Sequence, residues 1–124
     1  MENFLKKSFI NKNGIISFEI KDIKTKEVSE FYNNNPFPNY KEGDNKQTIL
    51  DKGNKNFLAN QFKNFIGYKK KVLEVGCGTG QLSNYFAIGT NNKIVGLDPT
   101  ITSLNLANDF ANKNKITNIK FVHA

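Results

Sequence analysis

This chain predicts an α/β fold built on parallel strands, and three observations carry that expectation. A short apolar run, Lys71-Val72-Leu73-Glu74-Val75, breaks into glycines at alternate positions, Gly76, Gly78 and Gly80. A second apolar run over residues 93–97 ends in Asp98. Leu82, Tyr85 and Phe86 after the first run, and Leu104, Leu106, Ala107, Phe110 and Ala111 after the second, fall at helical spacing. Apolar strands without polar alternation suit a sheet whose crossovers bury it. Glycine at the end of such a strand accepts positive φ and lets a ligand approach the backbone.

The remaining elements follow in chain order. Residues 9–20 hold Lys12-Asn13-Gly14 between apolar segments, which predicts a β-hairpin with Asn-Gly supplying the turn. Phe31-Tyr32-Asn33-Asn34-Asn35-Pro36-Phe37-Pro38-Asn39-Tyr40 reads as a proline-stiffened aromatic loop, excluded from a helix interior or a central strand. Residues 41–56 are polar and read as a linker, in which Gly53→Ala is expected to be nearly silent. Over 56–66, Leu58, Phe62, Phe65 and Ile66 recur at helical spacing with Gly67 as C-cap, so that stripe is expected in the core. Gly89-Thr90-Asn91-Asn92 closes the helix after the glycine turn. Pro99 stops the second strand, and Thr100 or Thr102 caps the next helix. A polar turn at 112–118 leads to a third strand at 119–123. The chain thus divides into an N-terminal extension, 1–55, and a βα segment, 56–124.

Composition narrows the function. The net charge is +7, yet all 18 basic residues are lysine. Arginine's fork is the group that clamps phosphates and reads guanine, so its absence argues against a nucleic-acid partner. No run of about 18 apolar residues exists, which excludes an ordinary transmembrane helix. The opening Met1-Glu2-Asn3-Phe4-Leu5-Lys6-Lys7 lacks an apolar segment and is no signal peptide. One cysteine, Cys77, forms neither an internal disulfide nor a zinc site, and a cytoplasmic location is expected. No metal is expected. Cys77 reads as a small side chain fitting the turn, and His123, at a strand end, as structural in preference to a general base.

Spacing separates the glycine turn from its relatives. A dinucleotide fingerprint needs glycine where Gln81 stands, and a phosphate P-loop needs lysine there. What remains, E-x-G-x-G-x-G in Val72-Leu73-Glu74-Val75-Gly76-Cys77-Gly78-Thr79-Gly80, closely resembles motif I of the class I S-adenosylmethionine-dependent methyltransferases. The resemblance covers roughly residues 56–124. It implies a Rossmann-like three-layer sandwich with strand order 3-2-1-4-5-7-6, truncated here after the third strand and preceded by the hairpin and loop extension. It also implies a methyltransferase whose cofactor-binding half this is, expected to be an incomplete fragment, inactive alone.

The cofactor implied is S-adenosylmethionine, which carries a carboxylate, an ammonium and a sulfonium but no phosphate. The resemblance gives backbone groups of Gly76, Cys77, Gly78 and Gly80 to its methionine end and Glu74 to its ammonium. Asp98, 22 residues beyond Gly76, takes the ribose diol, and the edge from Pro99 to Ile101 presses on adenine. Tyr32, Phe37 and Tyr40 are candidate lid residues. No catalytic base is assigned, because methyl transfer to an acceptor is mainly positioning. The methyl acceptor is left open. Two alternatives stand beside this reading: a fragment of an NAD-binding oxidoreductase, and a non-catalytic half-domain that binds a partner. With no fourth strand, the 72–75 strand is expected to present an unpaired edge and to promote self-association.

Overall fold

A computed structural model describes residues 8–10 and 14–124. Its sheet has five strands in the order β1-β2-β5-β4-β3. β1 (Ser8–Ile10) and β2 (Ile16–Phe18) form the expected antiparallel hairpin, with Ile10 opposite Ile16. Gly14 adopts φ 80 in their connection, while Lys12 and Asn13 of the expected turn, like residues 1–7, lie outside the described residues. β3 (Lys71–Val75), β4 (Lys93–Asp98) and β5 (Ile119–His123) are parallel, as the apolar runs imply, although β3, expected to be buried, is covered on one face only among the described residues. β2 joins them beside β5, also parallel, through Ile16–Val122 and Ser17–His123. The hairpin therefore extends the sheet beyond the third strand of the βα segment, and β3 lies at the opposite edge.

Two crossover helices, α4 (Gln81–Ala87) and α5 (Ile101–Lys113), pack on the sheet face that carries Ile94 and Phe121. Ile94, Tyr85, Phe86, Leu104, Ala107, Phe110 and Phe121 make one buried cluster there. The crossovers end on polar pins. Asn118 Nδ2 donates to the carbonyls of Ala87, Thr90 and Asn92, and Asn92 Nδ2 donates to Gly67 O at 2.7 Å, so the loops at the amino ends of the strands are tied without water. The opposite face is bare among the described residues. Alternation sends Leu73 and Val75 to it, and they are 61% and 72% exposed. Its broad depression of about 860 Å³ is lined by Lys71, Leu73, Val95, Asn118 and Lys120, at the amino ends of the strands.

Three expectations need correction. Residues 41–56 are not a linker. They contain helix α2 (Lys46–Lys55), started by a capping box in which Asn45 accepts from Thr48 N while the Thr48 hydroxyl accepts from Asn45 N. Gly53 lies on the face of α2 that meets Tyr85, and a Cβ there would stand 2.3 Å from the Tyr85 ring, so its substitution is not silent. The aromatic loop is shorter than expected, since Phe31 to Asn34 complete a helix, α1 (Ile23–Asn34), and only residues 35–40, with both prolines, Phe37 and Tyr40, lie beyond it.

The third correction concerns α3 (Phe57–Ile66), which has the expected helical spacing but a different buried face. Ala59 and Ile66 pack toward the core, whereas Leu58, Phe62 and Phe65 are exposed, Phe65 at 89%. The edge that faces inward carries Lys63, whose Nζ reaches the last carbonyls of α4, donating to Tyr85 O at 2.7 Å and Ile88 O at 2.8 Å, and lies 4.3 Å from the Tyr85 ring centre. A cation at a helix C-terminus and over a ring is a favourable contact that accompanies this orientation.

Candidate cofactor site

At the carboxyl ends of β3 and β4 the chain brings together most of the residues singled out by sequence. β3 ends at Val75, and Gly76, Gly78 and Gly80 take φ 77, 55 and 72 before α4 begins. Those values lie in the left-handed region, so glycine is required at each. Nothing lies within 4 Å of the position a Cβ on Gly76 would occupy, which leaves open space at the mouth of the turn. At Gly80 the reverse holds, because a Cβ would stand 2.6 Å from Ala107 Cβ and 2.8 Å from the Phe121 ring. Gly80 thus serves helix packing and Gly76 serves access.

The hydrogen bonds of the turn decide what ligand chemistry it offers. Leu97 O accepts from both Gly76 N and Cys77 N, at 2.7 and 3.1 Å. Gly78 N donates to Asp98 Oδ2 at 2.8 Å, and Gly80 N donates to Cys77 O at 2.9 Å. The amides of Gly76, Cys77, Gly78 and Gly80 are therefore spent inside the protein. Two carboxylates flank the turn. Glu74 accepts from Ser83 Oγ, and burial pushes its carboxyl upward, opposed by the Ser83 bond and reinforced by the charge of Asp98. Asp98 is buried and holds Gly78 N with one oxygen and Thr100 N, at 2.8 Å, with the other. With these two carboxylates beside it, the turn offers acceptors to an ammonium and a diol.

Pro99 and Ile101 sit beside this turn, at the start of α5. Pro99 O accepts from His123 Nε2 at 2.9 Å, and His123 Nδ1 lies 3.2 Å from Ser17 Oγ. Both ring nitrogens of His123 are engaged, which supports its structural reading. Cys77 is buried, and burial together with Asp98 and Glu74 drives its thiol far upward, so it carries no reactive thiolate. Among the described residues no group of three or more His, Cys, Asp or Glu could hold a metal ion.

The aromatic residues divide. Phe37 is 75% exposed, and its carbonyl oxygen lies 3.5 Å from where a Cβ on Gly78 would be. Tyr32 packs edge-on against Phe31 with ring centres 5.3 Å apart. Tyr40 is packed inside, stacked on Phe110 with ring centres 4.5 Å apart. Residues absent from the sequence reading also contribute. Asn33 Oδ1 accepts from Thr102 N at 3.2 Å, capping α5 where Thr100 makes no side-chain cap of its own. Ser83, Thr79 and Asn84, all buried, are small polar residues at the start of a helix that reads as core. Only polarity inside an apolar stripe signalled them.

Known proteins share this geometry. A family of sequences described as "methyltransferase domain" matches residues 66–124, a little under half of the chain. Among curated proteins, none matches the chain. Similar solved structures include a provisionally assigned S-adenosyl-L-methionine-dependent methyltransferase from Methanococcus maripaludis, 18% identical, TM-score 0.52, covering 86% of this chain and 44% of that one. The cyclase SpnF is 20% identical, with TM-score 0.56, over 81% of this chain and 42% of its own. Coclaurine N-methyltransferase is 17% identical, with TM-score 0.50, over 68% and 24%. The chain spans less than half the length of these structures, and at such identities they establish the fold. The methyltransferase-domain match over residues 66–124 thus falls on the stretch that carries the glycine turn and the parallel β3-β4-β5 order.

Proposed function

We propose that this chain binds S-adenosylmethionine in the crevice at the carboxyl ends of β3 and β4, as the cofactor-binding part of a methyltransferase. The observation that carries the reading is the turn's donor count. With the amides of Gly76, Cys77, Gly78 and Gly80 already bonded, the turn presents carbonyl oxygens and carboxylates, and S-adenosylmethionine offers an ammonium and a ribose diol to them. NAD is disfavoured by Gln81, which stands where the dinucleotide fingerprint has its third glycine. Glu74 would attract the ammonium, Asp98 the ribose hydroxyls, and the Pro99 to Ile101 edge would meet adenine, while Tyr32 and Phe37 would close over the mouth. When bound, the cofactor supplies an electrophilic methyl group. The residues of this chain bind and orient it, and the fold with a cyclase among its likenesses shows that such a scaffold alone does not set the reaction.

We infer further that the chain alone turns over no acceptor, since none of the described residues near the crevice is placed as a base or an acceptor clamp. Self-association through β3 and a reducing cytoplasmic setting, the latter supported by a single buried cysteine, complete the reading. No helix among the described residues is long and apolar enough to cross a membrane. Titration calorimetry with S-adenosylhomocysteine and with NAD tests it. Binding of the first alone is expected, and binding of NAD alone would overturn it.

A further inference from the structure

The extension does more at this site than lie near it. Thr79 stands between the two left-handed glycines, Gly78 and Gly80, and is fully buried. Both of its polar ends are held by the segment that precedes α2. Its hydroxyl donates to Pro38 O, and its carbonyl accepts from Tyr40 Oη at 2.8 Å. The other side of the same Thr79–Gly80 peptide is fixed by Gly80 N donating to Cys77 O. One peptide plane in the glycine turn is therefore clamped from both edges, once by the turn itself and once by Tyr40.

Tyr40 is in turn held rigidly. Its ring stacks on Phe110 of α5 with an interplanar angle of 10°, and its hydroxyl accepts from Asn84 Nδ2 of α4 at 3.1 Å. Gln81 Nε2 donates to Asn39 O at 3.1 Å, adding a neighbouring tie at the start of α4. A single side chain from outside the βα segment thus contacts the glycine turn, the helix that follows it and the helix after β4. A peptide flanked by two glycines has the widest choice of conformations in the chain, so an external clamp there has the most to restrict.

We propose that Tyr40 is a positioning residue of the cofactor site, its hydroxyl setting the Thr79–Gly80 peptide and with it the course of the glycine turn that the ligand meets. This rests on the binding reading above. It assigns the aromatic segment of the extension a role in ligand affinity that does not require it to open or close. Removal of the hydroxyl frees the peptide to rotate, and the bound geometry must then be selected from several.

The test compares Tyr40→Phe with Tyr85→Phe in the full chain. Tyr85 offers a matched control, because its hydroxyl also makes a buried bond, to Asn54 Oδ1 at 2.8 Å, but away from the turn. Calorimetry with S-adenosylhomocysteine should show Tyr40→Phe weakened roughly three- to tenfold, the scale of one hydrogen bond, and Tyr85→Phe unchanged. Amide exchange in the ligand-free chain should speed up at Thr79 and Gly80 in Tyr40→Phe only. Equal affinities and equal exchange for Tyr40→Phe and the unaltered chain would overturn the proposal, as would equal losses in both variants. If the unaltered chain binds no S-adenosylhomocysteine, the binding reading fails, and the exchange comparison still decides whether Tyr40 clamps the turn.

Discussion

Replacing Gly53 with alanine tests the packing of the extension on the βα segment. In an exposed helix interior this change stabilises by about 1 kcal/mol, because alanine loses less backbone freedom on folding. Here the new methyl would lie 2.3 Å from two carbons of the Tyr85 ring. Tyr85 is buried, its hydroxyl is bonded to Asn54, and Lys63 covers its face. Overpacking of this kind costs roughly 1–3 kcal/mol, so the propensity gain is cancelled or exceeded and the net loss should be about 0–2 kcal/mol. For a chain of this size that is a fall in Tm of up to roughly 10 °C. Thermal and urea unfolding of the single variant and of Gly53→Ala in a Tyr85→Leu background provide the assay. With the ring gone, the Gly53→Ala change should turn stabilising. A single variant more stable than the unaltered chain, or the same effect in both backgrounds, would refute the close approach of α2 to α4.

Three other outcomes are expected. Asp98→Ala removes the acceptor of Gly78 N and Thr100 N, and calorimetry should show S-adenosylhomocysteine affinity lowered by about 1.5–3 kcal/mol, the scale of hydrogen bonds to a charged group; unchanged affinity would remove Asp98 from the site. Lys63 is held by burial at about 8 against an ordinary 10.5, so the unfolded chain binds more protons between those values. This group's cost is fully present below pH 8 and shrinks as pH rises toward 10.5; the Lys63→Met variant should lack that rise in urea-unfolding stability, and a parallel pH profile would contradict it. At the sheet edge, Lys93 N bonds to Lys70 O and Gly76 N to Leu97 O, which by alternation leaves the N–H and C=O of Lys71, Leu73 and Val75 turned outward. Leu73 can then face Leu73 of a second copy in an antiparallel pair, and light scattering after size exclusion should show concentration-dependent dimers that Leu73→Lys suppresses; a monomer at all concentrations would refute the pairing.

The βα segment is legible in the sequence for a physical reason. Strands β3 and β4 are read from apolar runs that need no partner information, and a glycine turn needs positive φ wherever it occurs. The helices of the extension are not legible, because α1 and α2 bury little. Ser29 is the buried residue of α1 and Ile49 that of α2, so neither helix carries a wide apolar stripe. The inward face of α3 escapes periodicity, which reports spacing and not which edge faces the core; here the inward edge carries Ala59, Lys63 and Ile66. At the site, Glu74, the glycines and Asp98 converge as spacing implied. The direction of their hydrogen bonds is hidden, since nothing in the spacing reveals that Leu97 O consumes two amides. Asn33, bonded across 69 residues to Thr102, leaves no local trace at all.

The parallel pairing of β2 with β5 places Ser17 beside His123, residues 106 apart in sequence. A contact of that span has a high loop-closure cost and forms only once the intervening chain has condensed. Loop-closure entropy therefore favours joining β3, β4 and β5 through their short crossovers over docking the hairpin onto β5, so the β2–β5 pairing carries the largest entropic cost in the sheet.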